Sequence, residues 1–285
     1  MSKRKIVYQG EPGANSDLAC REVYPRYTPV PCATFEDAFA AVRSGKAELA
    51  MIPIENSVAG RVADIHHLMP NSRLHIVAEH FMPVHHQLMA PKGASLRTIK
   101  TVESHVQALG QCRKTIRDLG ISAVVAADTA GSARIVAEAG DATRAAIASK
   151  LAAEIYGLKI LKRNVEDESH NTTRFIVLSR TPKWAKPAQR GKVVTTFVFE
   201  VRNVPAALYK ALGGFATNGI NMTKLESYMV GGTFSATQFY ADVEAHPTER
   251  ALELALEELE FVSRPRSMKI LGVYPAHPLR AKLTA

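Results

Sequence analysis

The sequence predicts an α/β protein of two strand–helix lobes, followed by a smaller unit of order βαββαβ. Three observations predict it. Short apolar runs alternate with helix-like stretches up to about residue 178. Residues 181–192 break that rhythm with two prolines, a glycine and four basic residues. Beyond them the apolar residues first alternate with a period of two, then return in two amphipathic helical stretches.

Each element has its own local reason. Lys5 to Gln9 reads as a strand, closed by the turn-rich Gly10-Glu-Pro-Gly13. Thr34-Phe-Glu-Asp37 resembles a capping box, and Phe35, Ala38, Phe39 and Val42 then form one apolar stripe that stops at Gly45. Leu49 to Ile54 is a buried strand ending in polar residues. A second unit starts near His85: Leu88 to Ala90 and Thr98 to Val102 are strand-like, and Ser104 caps a helix running through Leu109 and Cys112. Ile121 to Ala127 is a strand, Thr129 to Ala139 a helix stopped at Gly140, and Ala145 to Ser149 a strand or a helix start. The chain returns through Ile160 to Val165 and Thr173 to Leu178. Two α/β lobes crossed in this way leave a cleft at their junction, where ligands collect.

After the basic interval, Phe197, Phe199 and Val201 share one face of a strand. Pro205 opens a helix carrying Leu208, Leu212 and Phe215. Ile220 to Met229 and Thr233 to Val243 are strands joined at Gly231-Gly232, a hairpin signal. Leu252, Ala255, Leu256 and Leu259 mark a second helix, and Met268 to Tyr274 a last strand. The order is the ferredoxin-like one. A unit this small gains stability by pairing with a copy of itself, so a homodimer or homotetramer is expected.

Composition bounds the function. At 285 residues, 46% hydrophobic and 22% charged, the chain is an ordinary globular protein with room for more than one core. No apolar run approaches the roughly 20 residues of a membrane span, and the basic start lacks an apolar stretch behind it, so a cytoplasmic protein is expected. Three cysteines without CxxC spacing suggest neither a disulfide framework nor a thiolate metal site. The pairs His66-His67 and His85-His86 diverge on any regular element, so no metal is expected from them. The net charge of +9 is scattered among acids without interleaved aromatics, which argues against nucleic acid and permits an anionic small substrate.

Three polar clusters sit at strand ends, where an α/β cleft gathers its ligands. Glu55, Asn56 and Ser57 follow a buried strand and serve either a ligand or the cap of the next helix. Ser104, His105 and Gln107 stand at a helix start, as do Thr129 and Ser132, with the same two readings. Glu168 to Phe175 is the densest run: Arg174 offers a planar fork for a carboxylate and Thr173 one donor hydroxyl, the alternative being a surface loop with an ion-paired arginine. Spacing alone stops at a small anion bound in a two-lobed cleft.

Taken in order, these segments resemble the prephenate dehydratase family over nearly the whole chain. Ile6-Val-Tyr-Gln-Gly10 with Gly13 resembles its opening strand and glycine turn, although Ala14-Asn15-Ser16 replaces the usual threonine-phenylalanine-serine. Pro53-Ile-Glu-Asn-Ser57 with Gly60, Ser104-His-Val-Gln-Ala-Leu109 with Gln111-Cys112, Ala146-Ile-Ala-Ser149 with Tyr156-Gly-Leu158, and above all Asn171-Thr-Thr-Arg-Phe175 are similar to its motifs. The resemblance implies a fold like the type II periplasmic binding proteins and loss of CO2 and water from prephenate, without metal or organic cofactor. It implies that Thr173 meets the departing ring hydroxyl and Arg174 clamps a carboxylate, with Glu55 as a rival acid. Asn56, Ser57, Ser104, His105, Gln107, Thr129, Asn171 and Phe175 are the further site residues so implied.

The C-terminal unit resembles an ACT domain that binds phenylalanine at a dimer interface. Pro205-Ala-Ala-Leu208 stands where that family usually has proline-glycine-alanine-leucine, and Leu225-Glu-Ser-Tyr-Met229 where it usually has glutamate-serine-arginine-proline. The effector residues so implied are Ala206, Ala207, Leu208, Asn218, Ile220, Asn221, Leu225, Glu226 and Ser227. The domain boundaries expected are a catalytic domain over 1–181, with lobes of about 1–84 plus 166–181 and 85–165. A linker at 182–192, an ACT domain at 193–275 and a tail at 276–285 follow. The competing readings are an arogenate dehydratase and a non-catalytic anion receptor; a DNA-linked regulator has no helix-turn-helix to support it.

Overall fold

The computed structural model describes residues 4–168, 170–187, 192–229 and 236–283. Compactness divides the chain differently from composition: one unit is Met1–Val62 with Phe81–Phe175, the other Ala63–His80 with Ile176–Ala285.

The first unit opens with β1 (Lys5–Gln9), α1 (Asn15–Val23), β2 (Thr28–Cys32), α2 (Phe35–Arg43), β3 (Leu49–Asn56) and the short β4 (Gly60–Arg61). α3 (Ala63–Leu68), a 3-10 turn (Met69–Asn71) and most of β5 (His75–Pro83) belong to the second unit. The first unit resumes with β6 (Gln87–Ala90), β7 (Thr101–His105), α4 (Val106–Gly110), α5 (Arg113–Asp118), β8 (Ser122–Ala126), α6 (Thr129–Ala139), β9 (Arg144–Ala148), α7 (Lys150–Tyr156) and β10 (Lys159–Lys162). It ends in the first half of β11 (Thr172–Ser179).

Two sheets give the first unit its two lobes. In one, the strands run β11-β3-β1-β2, with β1 parallel to both neighbours. β2 carries Pro29 and Pro31, which the edge position tolerates because a proline lacks the N–H that an inner strand must donate. The Thr34 hydroxyl accepts from Asp37 N at 3.1 Å, so Thr34 caps α2 as the sequence predicts. The other sheet runs β10-β6-β9-β7-β8. Its alternation is visible in two cores: Leu88, Ala145 and Ile147 pack with Leu109 and Cys112 on one face, Met89, Ala146 and Ala148 with Ala133 and Ala153 on the other.

The glycine turn after β1 draws the lobes together. Gly13 takes a φ of 88°, and a side chain there would lie 2.7 Å from Ala152 Cα of α7. Ser149 Oγ donates to Gly13 O and Tyr156 OH donates to Pro12 O at 2.9 Å.

In the second unit β12 (Val193–Glu200), α8 (Ala207–Thr217), β13 (Met222–Met229), β14 (Ala236–Val243), α9 (Arg250–Val262) and β15 (Lys269–Pro275) follow the expected βαββαβ order. The strands line up as β13-β14-β12-β15, antiparallel throughout, and β5 adds in parallel to β15. Phe197, Phe199, Phe215, Leu252 and Leu259 form the core between sheet and helices. α10 (Arg280–Leu283) is held where Arg280 meets the Glu79 carboxylate with two bonds, at 2.6 and 2.8 Å. The hairpin turn expected at Gly231-Gly232 lies outside the described residues.

Two local expectations are corrected. The helix after β7 is capped by His105, the last residue of the strand, whose Nδ1 accepts from Gln107 N, while Ser104 lies within the strand. α8 starts at Ala207 rather than at Pro205, and Ala206 precedes it with a φ of 60°, a left-handed conformation that costs a non-glycine residue energy.

Candidate functional site

A cavity of about 260 Å³ opens between the two lobes of the first unit. Its walls come from the β1–α1 turn (Gln9, Gly10, Ala14, Asn15, Ser16), the end of β3 (Pro53, Asn56), the α4 region (His105, Gln107, Gln111), the start of α6 (Asp128, Thr129), His86, and Asn171 with Thr173. Among the described lining residues there is no lysine or arginine. A bound anion there meets amide and hydroxyl donors, the Asp128 carboxylate and the first turn of α1, whose preceding residue Ala14 supplies no side-chain cap to its N–H groups. The start of α6 is already occupied, since Asp128 Oδ1 accepts from Gly131 N at 2.6 Å.

The floor of the cleft is a row of amides. Asn56 Oδ1 accepts the backbone N–H groups of Val58 and Ala59 at 3.0 and 2.8 Å, which fixes which end of its amide is oxygen. Asn56 Nδ2 therefore faces the strand opposite and gives one hydrogen to Asn171 Oδ1 at 2.7 Å and the other to Thr173 Oγ1 at 3.0 Å. Asn171 Nδ2 passes a hydrogen to Gln111 Oε1 at 2.8 Å, and His86 Nε2 meets the same oxygen at 2.9 Å. Because Thr173 Oγ1 is an acceptor in this row, its own proton is left to be given to something else. Thr173 lines the cleft, so that proton is available to a ligand.

Period-two alternation sorts the rest of β11. Asn171 and Thr173 face the cleft, so Arg174 faces away. Arg174 is 2% exposed, donates to Glu55 Oε1 at 2.8 Å and lies over the Phe81 ring. Glu55 alternates with Asn56 on β3 in the same way. His85 Nδ1 lies 2.8 Å from Glu166 Oε1, while Glu166 Oε2 takes the His86 N–H at 2.9 Å. Burial alone raises the Glu166 carboxyl, but the His85 side chain and the backbone N–H groups outweigh it and hold it below the usual range. Burial pushes His86 down, so its imidazole stays neutral. The Cys20 and Cys112 thiols are buried and held protonated, far from thiolate reactivity.

The family model for prephenate dehydratase matches residues 6–183. The chain belongs to the prephenate dehydratase family. A relative from Komagataeibacter europaeus, described as a bifunctional N-acyl-homoserine lactone acylase/prephenate dehydratase, is 53% identical over 98% of this chain and 99% of its own. A chloroplastic arogenate dehydratase/prephenate dehydratase of Arabidopsis thaliana is 40% identical over 98% of this chain and 74% of its own. The crystal structure of a prephenate dehydratase in complex with L-Phe, from Arthrobacter aurescens, superposes with a TM-score of 0.86 at 30% identity, covering 96% of this chain and 94% of the other.

The protein is thus a dehydratase, and its cleft can be set against the residues expected from sequence. Asn56, His105, Gln107, Thr129, Asn171 and Thr173 line it. Five others do not. Arg174 and Glu55 pair with each other behind the floor. Ser57 ties the β3 turn to the start of β11, donating to His170 O and accepting from Thr172 N. Ser104 is fully buried and donates to Ile147 O at 2.6 Å, and Phe175 is 1% exposed in the core. Gln111 was legible only as part of a motif, and His86 only as half of a histidine pair; nothing local marks either as a member of the amide row.

The expected effector residues fall into separate groups of the second unit. Ala206 precedes α8, which Ala207 and Leu208 begin, whereas Asn218, Ile220 and Asn221 follow its end, about 16 Å away for 11 residues at 1.5 Å each. Asn218 Nδ2 donates to Gly214 O and Asn221 Nδ2 to Glu244 Oε2. Leu225 and Ser227 alternate outward on β13, Lys224 pairs with Glu226, and Tyr228 packs against His66 and His67.

Proposed function

We propose that this enzyme converts prephenate to phenylpyruvate, CO2 and water, and that phenylalanine inhibits it through the C-terminal unit. The observation that carries the first part is the direction of the Asn56–Thr173 hydrogen bond. Electrons of the breaking C–CO2 bond move into the ring as the ring C–OH bond breaks, and the departing hydroxyl needs a proton to leave as water. Thr173 Oγ1, accepting from Asn56, is aligned to give that hydroxyl a hydrogen bond. A threonine hydroxyl is too weak an acid to surrender a free proton, so its role is a relay replenished from water. The uncapped first turn of α1 suits a substrate carboxylate. Arg174, buried against Glu55, supports the wall instead of clamping substrate.

The regulatory part is supported by the L-Phe complex of the Arthrobacter aurescens relative and by the βαββαβ order of an ACT domain. The two expected effector groups stand at opposite ends of α8, so a phenylalanine site built from both takes the start of one helix and the end of another, as a paired second copy supplies.

The experiment is an assay of the purified protein with prephenate, followed by phenylpyruvate absorbance, with and without phenylalanine. Turnover suppressed by millimolar phenylalanine supports both parts; turnover insensitive to it removes the second. A second reading, preference for arogenate, is favoured by the Arabidopsis relative, and faster turnover of arogenate than prephenate under equal conditions would establish it. The Komagataeibacter europaeus relative adds an acylase reading, decided by whether the same sample releases a fatty acid from an N-acyl-homoserine lactone.

A further inference from the structure

The amide row ends on His86, a cleft-wall residue to which the reaction above gives no part. Gln111 Oε1 receives one hydrogen from Asn171 Nδ2 and faces His86 Nε2, so His86 must carry its proton on Nε2 to meet an acceptor. Its Nδ1 is buried without a hydrogen-bond partner, which suits a bare lone pair and penalises a proton. Its backbone is clamped on both sides. His86 N donates to Glu166 Oε2 at 2.9 Å, and Val165 N donates to His86 O at 2.9 Å. His86 itself is 3% exposed.

With two donors on one oxygen, Gln111 has no freedom to turn its amide over. Turning would set its NH2 against the NH2 of Asn171 and the N–H of His86, two donor–donor contacts at under 3 Å. The Gln111 NH2 is thereby left as the remaining hydrogen-bonding end of a cleft-lining side chain. Asn56, pinned by the Val58 and Ala59 amides, closes the row at one end; His86 closes it at the other.

We propose that His86 is a positioning residue: as a neutral Nε2–H imidazole it pins Gln111 and, through Gln111, the Asn171 amide whose oxygen shares the Asn56 NH2 with Thr173. The role rests on the dehydratase reading above, because it acts on the groups assigned to the reaction. The tautomer follows from the geometry alone.

Two measurements test it. The first is ¹⁵N NMR of histidine-labelled wild-type protein at neutral pH, with the His86 signal identified by its loss in His86→Gln. A neutral Nε2–H ring is expected; an Nδ1–H ring or an imidazolium overturns the proposal whatever the activity. The second compares His86→Leu, which removes the donor, with His86→Gln, whose amide N–H falls near the place of Nε2. Loss of alignment costs on the order of 10²-fold in kcat for His86→Leu, more than it costs in KM, and His86→Gln recovers about tenfold of that. A His86→Leu kcat within about threefold of wild type per folded molecule, or a His86→Gln no better than His86→Leu, overturns it. Should His86→Leu not fold, the NMR reading and the His86→Gln kinetics decide alone. Wild-type protein that turns over neither prephenate nor arogenate fails the dehydratase reading, an outcome distinct from a wrong tautomer.

Discussion

Replacing Asn56 by Asp exchanges one NH2 for an oxygen and alters nothing else in shape. Oδ1 keeps the Val58 and Ala59 amides, so the turn after β3 survives. Both donations of Nδ2 are lost, to Asn171 Oδ1 at 2.7 Å and to Thr173 Oγ1 at 3.0 Å. Each bond contributes a net of about 1 kcal/mol, and an oxygen left against the Asn171 oxygen adds desolvation and repulsion, so stability falls by about 2–4 kcal/mol. The catalytic loss is larger in consequence. Facing a carboxylate, Thr173 turns its hydroxyl proton toward residue 56 and no longer offers it to the cleft. A positioned proton transfer is worth about 10²–10⁴ in rate, or about 2.7–5.4 kcal/mol at 1.36 kcal/mol per factor of ten. Thr173→Ala removes the same proton and is expected to lose the same amount. The double variant is then no worse than the poorer single variant within about threefold, whereas independent contributions would multiply. The assay is the initial rate of phenylpyruvate formation at saturating prephenate, corrected for the folded fraction by circular dichroism. The reasoning is refuted if Asn56→Asp keeps more than a tenth of wild-type kcat while Thr173→Ala does not, or if the two losses multiply.

Three further outcomes are expected. Arg174→Met removes one buried charge partner of Glu55 and lowers stability by about 2–3 kcal/mol, below the range for fully buried pairs because Glu55 keeps part of its side chain in water; denaturant melts read this, and a KM for prephenate raised more than tenfold would restore Arg174 to the cleft. Ala206→Gly relieves a left-handed φ of 60° at a cost of about 1–2 kcal/mol, offset partly by the entropy of a more flexible unfolded chain, and so stabilises by about 0.5–1 kcal/mol in the same melts. The histidines His75, His86 and His277 are all lowered, chiefly by burial. Below their ordinary value of about 6.5 the unfolded chain takes up protons that the folded one refuses, so stability is full above pH 6.5 and declines as the pH falls toward the lowered folded values. His86→Gln makes that decline shallower in pH-dependent melts, and an unchanged slope would remove His86 from the account.

Much of the fold was legible because its signals are local. The stripe of α2 with its Thr34 cap and the alternation of β12 are set by residues within a few positions of one another. β2 and β5 were not legible: prolines at 29 and 31 hide a strand that only an edge position permits, and β5 pairs with β15, a strand distant in sequence. The boundary between units also escaped, because Ala63–His80 carries no compositional mark of belonging with residues far beyond 176.

By itself the sequence determined which chemical groups this protein possesses and roughly where they fall along the chain. It placed Asn56, Asn171 and Thr173 at strand ends, and its ordered motifs named the family. Tertiary structure decided which of these groups face the cleft and which way their protons run. Alternation on β11 separates Thr173 from the adjacent Arg174 by a half-turn of the strand, and a pairing across 115 residues sets Asn56 against Asn171. The donor role proposed for Thr173, the burial of Arg174 and the role proposed for His86 all rest on hydrogen bonds between segments distant in sequence. Their directions are fixed only when every partner is in place, so no reading of one segment at a time could have supplied them.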